Sequence, residues 1–198
     1  MSTMASPALT PLGYALLGLV QQAPRSGYDL RRMFAATPMA YFSSSPGAIY
    51  PALDRLERSG LVAGEIDDRQ PLRPRRVYEI TPRGLAILRA WATRPVTHDD
   101  LVRREGEVDL RFAFLGAIGG PADSRRFLES LAAEIDAEVK SLEQHLSGMK
   151  ASAGLHGRLA LESGIDLYKA RARWARRALQ HFQPQVAARA KPRRGRKP

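Results

Sequence analysis

Three Ser/Thr-Pro pairs in the first 95 residues stand directly before helical patterns and fix where helices begin. The pairs are Thr10-Pro11, Ser45-Pro46 and Thr81-Pro82. A serine or threonine hydroxyl accepts a hydrogen bond from a free backbone N–H at a helix start, and proline fits the first turn because its missing N–H costs nothing there. Each pair therefore predicts a helix N-terminus.

The segment between the first two pairs predicts two helices. The leucine spacing after Pro11 indicates a first helix that Pro24 ends. Ser26 opens a second, short helix, with Asp29 at the capping-box position, and Pro38 follows its end. We expect both helices to pack through their apolar faces.

The third helix has one apolar and one polar face. It begins at Ser45-Pro46 and runs to about Ser59, where Gly60 suits a helix C-terminus. Pro51 inside it costs about 3 kcal/mol, and a costly residue on an exposed face indicates a functional constraint. The residues expected to face outward are Gly47, Tyr50, Pro51, Asp54, Arg55 and Arg58.

Two alternating segments, 61–66 and 75–80, predict strands joined by a polar hairpin that is rich in proline and arginine. A fourth helix follows Thr81-Pro82 and ends at Arg94-Pro95. The order helix, helix, helix, strand, strand, helix is that of a winged helix-turn-helix with a two-stranded wing.

The remainder of the chain reads as helical. Residues 97–105 predict a polar linker or short helix, 108–118 a helix, and Asp123 or Ser124 the cap of a long helix that ends near Met149. A further long helix follows Gly154, and apolar residues recur in both helices at steps of three or four, typical of helix–helix packing. We therefore expect a mainly α protein: a winged helix-turn-helix domain at 1–95, a helical dimerisation and effector domain at 96–182, and a basic disordered tail at 183–198.

The net charge of +11 indicates a polyanionic partner. Six of the basic residues lie in segment 183–198, which contains no acid. Such a tail is either a solvated end or an added source of phosphate affinity. The case for nucleic acid therefore depends on the folded part.

The third helix and the hairpin supply that case. Serines and free N–H groups at the start of the helix suit a phosphate, and long side chains on its outer face can reach bases. In the second strand, alternation puts Arg75 and Arg76 on opposite faces, so at most one of them points at DNA. The residues expected to contact DNA on these grounds are Ser44, Ser45, Tyr50, Arg55, Arg69, Arg73 and Arg75.

Enzyme signatures are not found in the sequence. It has no P-loop, no dinucleotide-binding glycine motif and no zinc spacing among four histidines, and cysteine is absent. His98-Asp99-Asp100 offers metal-binding atoms, but a polar linker explains it better; Glu105, Glu107 and Asp109 read as a solvated acidic stretch. We expect no enzymatic activity, no cofactor, no metal and no membrane span, and a cytoplasmic location.

Aromatic residues in the helical part offer an effector pocket. Trp91, Phe112 and Trp174 are the candidates, between the domains or across a dimer. An aromatic residue in a helical stripe is more commonly part of the core, so both interpretations stand.

Residues 9–95 resemble the PadR-like family of transcriptional regulators. The stretches that carry the resemblance are Ala15-Leu-Leu-Gly-Leu-Val20 with Ser26-Gly-Tyr-Asp-Leu30, residues 45–61 and residues 73–84. The most specific element is Gly-Ala-Ile-Tyr-Pro-Ala-Leu at 47–53. Val77 departs from a family pattern that often has a second aromatic residue, and the basic tail is not a family hallmark.

The resemblance implies a homodimeric bacterial regulator, usually a repressor, with C-terminal dimerisation helices and a small aromatic or amphipathic effector or stress signal. It implies DNA contact at Ser45, Gly47, Tyr50, Pro51 and the wing arginines, with Tyr78 structural and Tyr28 either structural or a phosphate contact.

We therefore expect a sequence-specific homodimeric repressor on double-stranded DNA with an inverted repeat. The alternatives are an architectural nucleic-acid binder that depends on the tail, and a winged helix used only for protein interaction.

Overall fold

The computed structural model describes residues 9–37, 39, 42, 45–67, 75–149 and 154–182. Short helices and a small sheet form the N-terminal part, and longer helices form the C-terminal part. The helices are α1 (Pro11–Gln22), α2 (Gly27–Ala36), α3 (Pro46–Arg58), α4 (Pro82–Thr93), α5 (His98–Arg103), α6 (Glu105–Ile118), α7 (Pro121–Gly148) and α8 (Leu155–Leu179), and the strands are β1 (Arg25–Ser26), β2 (Val62–Asp67) and β3 (Arg75–Ile80). A 3-10 turn, Gln180–Phe182, follows α8.

The three predicted Ser/Thr-Pro helix starts are confirmed. Thr10 Oγ1 accepts from the Gly13 N–H at 3.2 Å, and Thr81 Oγ1 accepts from the Gly84 N–H at 3.0 Å. Ser45 Oγ accepts from the N–H two residues ahead at 3.2 Å. Each hydroxyl thus satisfies one free donor at a helix N-terminus.

Helix α3 ends as predicted, with Ser59 as the C-terminal capping residue and Gly60 at φ +66°. Its inner and outer faces also agree with the sequence: all six residues expected to face outward are exposed. The inner face is buried at Ile49, Ala52, Leu53 and Leu56.

The sheet has three antiparallel strands in the order β1-β3-β2. The β2–β3 hairpin was predicted, with Val62 opposite Ile80 and Asp67 opposite Arg75. The expectation of a two-stranded wing was incomplete, because β1 pairs Arg25 with Tyr78 on the other side of β3. A strand of two residues is too short to show alternation in a sequence.

The helix boundaries of the C-terminal part differ from the predictions at two points. Residues 98–103 form α5, the short helix that was one of the two expectations for 97–105, whereas α6 begins at Glu105 rather than at residue 108. Helix α7 begins at Pro121, with Gly120 as its N-terminal capping residue, while Asp123 accepts from the Gly120 N–H at 3.0 Å. The predicted cap, Asp123 or Ser124, lies too far along the chain, because proline is favoured in the first turn of a helix and α7 already begins at Pro121.

Helices α7 and α8 pack as an antiparallel pair. Lys169 Nζ lies 2.6 Å from Glu143 Oε1, and Arg176 pairs with Asp136 about two helical turns further along α8. Between them the predicted apolar stripes meet, burying Ile135, Ala172 and Ala175. None of the described helices combines the length and apolar character needed to cross a bilayer.

Candidate DNA-binding surface

One side of α3 presents most of the residues predicted to contact DNA. Ser45, Gly47, Tyr50, Pro51 and Arg55 are all exposed, and Tyr50 keeps 41 % of its surface accessible. We call this set the α3 face. It presents a hydroxyl, a phenol, a guanidinium and the backbone around a glycine, all groups that contact phosphates or base edges.

The Tyr50 ring packs against the first residue of helix α2, Gly27. A β carbon at Gly27 would lie 2.6 Å from the Tyr50 ring, so a side chain at position 27 would displace it. The glycine therefore allows α2 and α3 to approach closely enough to fix the position of the phenol.

A basic aromatic patch on α2 adjoins this contact. Tyr28 is 45 % exposed, and the guanidinium carbons of Arg31 and Arg32 lie 5.4 and 6.0 Å from the centre of its ring. Of the two interpretations of Tyr28, this exposure favours the phosphate contact. Tyr78 is buried, as the structural role predicted, and burial raises its pKa.

The two arginines of β3 differ in their surroundings. Arg75 is half-buried and lies opposite Asp67 in the strand register. Arg76 is more exposed, but its Nη2 donates to Glu57 Oε1 at 2.5 Å, and this hydrogen bond raises its pKa. Ser44, Arg69 and Arg73, which were also predicted to contact DNA, lie outside the described residues.

A buried ion cluster links α4, α5 and α6, and the sequence analysis did not find it. Both carboxylate oxygens of Asp100 accept from Arg94 at 2.6 Å, and Oδ2 also accepts from Arg111 Nη1 at 3.1 Å. Arg111 has no exposed surface and donates through Nη2 to the carbonyl oxygens of Arg94 and Pro95. We call Arg94, Asp100 and Arg111 the junction cluster.

Two effects oppose each other in the pKa values of Asp100 and Arg111: burial disfavours the charged form of each group, and the ion pairs and hydrogen bonds of the cluster favour it. Burial alone would raise the pKa of Asp100, but hydrogen bonds from Arg94 and the Thr97 N–H outweigh it and lower this pKa to about 2. Burial lowers the pKa of Arg111 to about 10, partly offset by Asp100. The metal-binding alternative for His98-Asp99-Asp100 receives no support, since the described residues hold no cluster of three metal-ligating side chains.

A cavity of about 490 Å³ lies between α6 and α8. Arg171 of α8, at its wall, donates to Glu105 and Asp109, both at 2.7 Å. The two acids lie within α6 rather than before a helix, and their side chains stay 67 and 71 % exposed, so the expectation of a solvated stretch holds for them. Its lining residues are Glu105, Asp109, Gly164, Leu167, Tyr168, Arg171 and Trp174.

The structure separates the three residues predicted for an effector pocket. Trp174 lines the cavity, and Phe112 packs behind it with ring centres 5.4 Å apart. Trp91 instead stacks on Tyr14, with ring centres 4.1 Å apart, and its indole donates to Glu107 at 3.4 Å. The Trp91 and Phe112 rings thus have packing roles, and Trp174 remains the candidate.

Comparison with known proteins identifies the family that the N-terminal part resembles. The sequence model of the transcriptional regulator PadR-like family matches residues 16–90. Residues 16–90 form a PadR-like domain. A second model, virulence activator alpha C-term, matches residues 112–183 of this PadR-like protein. The predicted family is therefore confirmed.

Three of the proteins similar to this PadR-like protein come from Bacillus species. The negative transcriptional regulator PadR of Bacillus subtilis (strain 168) is 25 % identical over 142 residues, which cover 72 % of this chain and 76 % of the relative. Among solved structures, B. subtilis PadR in complex with operator DNA has a TM-score of 0.43 at 21 % identity, covering 88 % of this chain and 100 % of that one. The PadR-like regulator BC1756 from Bacillus cereus has a TM-score of 0.40 at 22 % identity, covering 90 % and 99 %.

The PadR-like domain and the curated relative support a DNA-binding transcriptional regulator rather than an enzyme, as the sequence predicted. The α3 face and the patch on α2 are the described surfaces that suit this function.

Proposed function

We propose that this PadR-like protein is a homodimeric repressor that binds an inverted-repeat operator and releases it in response to a small molecule or stress signal. The observation that carries the proposal is the α3 face, where five residues of DNA-contacting types are exposed on one side of a capped helix. The sign of regulation is proposed by analogy with the relative named as a negative regulator.

The α3 face would enter the major groove. Tyr50 and Arg55 are exposed and long enough to reach base edges, while Ser45 lies at the helix N-terminus, where free N–H groups suit a phosphate. The patch of Tyr28, Arg31 and Arg32 would contact the neighbouring backbone. A dimer would place two such helices over two half-sites, with their centres about 34 Å apart or separated by another multiple of one DNA turn.

A second copy of the chain fits the exposed apolar surface of α8. Leu155, Leu159 and Leu167 are 66, 50 and 71 % exposed, although α8 is already packed on α7 through its other face. Large apolar side chains exposed in a row on one helix mark an interaction surface. Dimerisation through α8 would bury them.

The cavity beside Trp174 would hold the effector. Trp174, Tyr168 and Leu167 give it an aromatic and apolar wall, and its volume of about 490 Å³ is that of a small-molecule site. Trp91→Phe would leave Trp174 as the sole tryptophan, since the sequence has two. Small aromatic and amphipathic compounds should then change its fluorescence with saturation and weaken operator binding at the same concentrations.

The experiment that tests the proposal is a salt-titrated binding assay. Full-length and 1–182 protein are compared on the DNA upstream of the protein's own gene and on a scrambled duplex, with Tyr50→Ala and, as control, the exposed Arg177→Ala. A regulator keeps its preference for its own DNA without residues 183–198, loses it with Tyr50→Ala and keeps it with Arg177→Ala. If removal of residues 183–198 abolishes most of the DNA affinity and no sequence preference is left, the protein is a charge-driven architectural binder instead. If the full-length protein has no DNA affinity even at low salt, the winged helix is a protein-interaction module.

A further inference from the structure

Glu57, in the last turn of α3, connects the recognition helix to both long strands of the wing. Its Oε1 accepts from the Gly64 N–H of β2 at 3.1 Å and from Arg76 Nη2 of β3 at 2.5 Å. One carboxylate oxygen therefore joins α3, β2 and β3 at a single point.

Strand β2 lies between Glu57 and Arg76, and its residue nearest to both side chains is a glycine, Gly64. A β carbon at Gly64 would lie 2.7 Å from Glu57 Oε1 and 2.6 Å from Arg76 Nε. Gly64 thus leaves the space in which the Arg76 side chain crosses β2 to reach Glu57. The three residues depend on one another geometrically, and a single substitution at any of them disturbs the contact.

The pair lies close to the proposed DNA-binding surface but is only partly covered. The side chains of Glu57 and Arg76 are 26 and 52 % exposed, and exposed ion pairs contribute little to stability. A conformational role explains the arrangement better than a stabilising one. The strands β2 and β3 form the wing, and their angle to α3 decides how the two elements together face one DNA duplex.

We propose that Glu57 is a positioning residue that fixes the wing at one angle to α3 and withholds Arg76 from DNA. The proposal rests on the proposed function, because it concerns how α3 and the wing bind one operator together. With Glu57 removed, Arg76 becomes free to bind any phosphate and the hairpin is no longer tied to the helix. Sequence preference should fall while non-specific affinity rises.

A double-mutant cycle tests this role with Glu57→Ala, Arg76→Ala and the double variant, measured on operator and scrambled DNA over a salt series. The control is Glu79→Ala, which removes the same charge from an exposed position one strand residue beyond Tyr78. Thermal unfolding of each variant checks that folding is retained.

Glu57→Ala should bind scrambled DNA more tightly than Glu79→Ala does, with a salt slope steeper by about one phosphate contact. Its operator preference should fall by about tenfold, within the range that coupled residues show. Arg76→Ala should lose a similar preference without a shallower salt slope, and the double variant should be no worse than the poorer single one.

Two outcomes would overturn the proposal. A salt slope that becomes shallower by about one with Arg76→Ala would make Arg76 a phosphate contact in the presence of Glu57. If Glu57→Ala and Glu79→Ala show the same DNA affinities, salt slopes and operator preference, Glu57 acts only through its negative charge and does not position the wing. A wild-type protein without operator preference contradicts the regulator function itself, whereas a wild type with preference and a cycle without effect contradicts only the positioning role.

Discussion

The ring of Phe114 in α6 occupies the space that a side chain at Gly18 in α1 would fill. A β carbon at Gly18 would lie 2.3 Å from both Cε2 and Cζ of that ring. Phe114 is also 1 % exposed. The DNA-binding part and the C-terminal helices therefore meet through a contact that leaves no space for a methyl group.

Gly18→Ala should destabilise the protein by about 1–3 kcal/mol, because overpacking forces neighbouring side chains and helices to shift. Chemical denaturation gives the change in the free energy of unfolding. Combining the change with Phe114→Leu should recover part of the loss, since the smaller side chain leaves space for the methyl group.

Gly116→Ala is the matched control, since Gly116 lies in α6 at a position where an added β carbon would meet open space. It should raise stability by up to about 1 kcal/mol through helix propensity alone. Equal effects of the two alanines would show that α1 and α6 are not in close contact.

Asp100→Asn should cost about 3–5 kcal/mol, because removing one partner leaves buried charge uncompensated. Arg111 is wholly buried and Arg94 half-buried, and both donate to this carboxylate. Urea unfolding measures the loss. Asp99→Asn is the control: Asp99 pairs with Arg103 and Arg104 at the surface, where such pairs contribute up to about 1 kcal/mol.

The pKa of Asp100 also predicts acid sensitivity. It is about 2 in the folded protein against an ordinary value of 3.8, so the folded state binds this proton more weakly than the unfolded state. The resulting stability, about 2 kcal/mol at about 1.4 kcal/mol per pKa unit, is fully present above pH 4 and is lost as the pH falls towards 2. Stability measured from pH 5 to 2 should fall more steeply in Asp99→Asn than in Asp100→Asn.

Local rules were enough to predict α3. Its boundaries follow from local signals, the N-terminal capping residue Ser45 and Gly60 after its C-terminus. The spacing of its apolar residues decides which side is buried, so the α3 face could be predicted from the sequence. The long stripes on α7 and α8 were predictable for the same reason.

The contacts that depend on tertiary distance could not be predicted. Asp100 looks like one acid in a polar linker, and its two arginine partners lie 6 and 11 residues away, at the C-terminal end of α4 and in α6. Arg111, in a helix of mixed composition, shows no sign in sequence that it is buried. The same holds for Glu57 and Arg76, which lie 19 residues apart and meet only because the hairpin folds over the end of α3.

Leu159→Glu tests the proposed dimer surface on α8. Leu159 is 50 % exposed, so a charge is tolerated in the monomer, but burying that charge against a second copy would weaken association. Sedimentation equilibrium should show the dimer dissociation constant raised at least tenfold, on the order of the 1.4 kcal/mol that corresponds to that factor. Val102→Glu, at a position 52 % exposed on α5, is the control and should leave the mass unchanged. Helical content by circular dichroism should be unaltered in both variants, and a Leu159→Glu protein that remains fully dimeric would place the interface elsewhere.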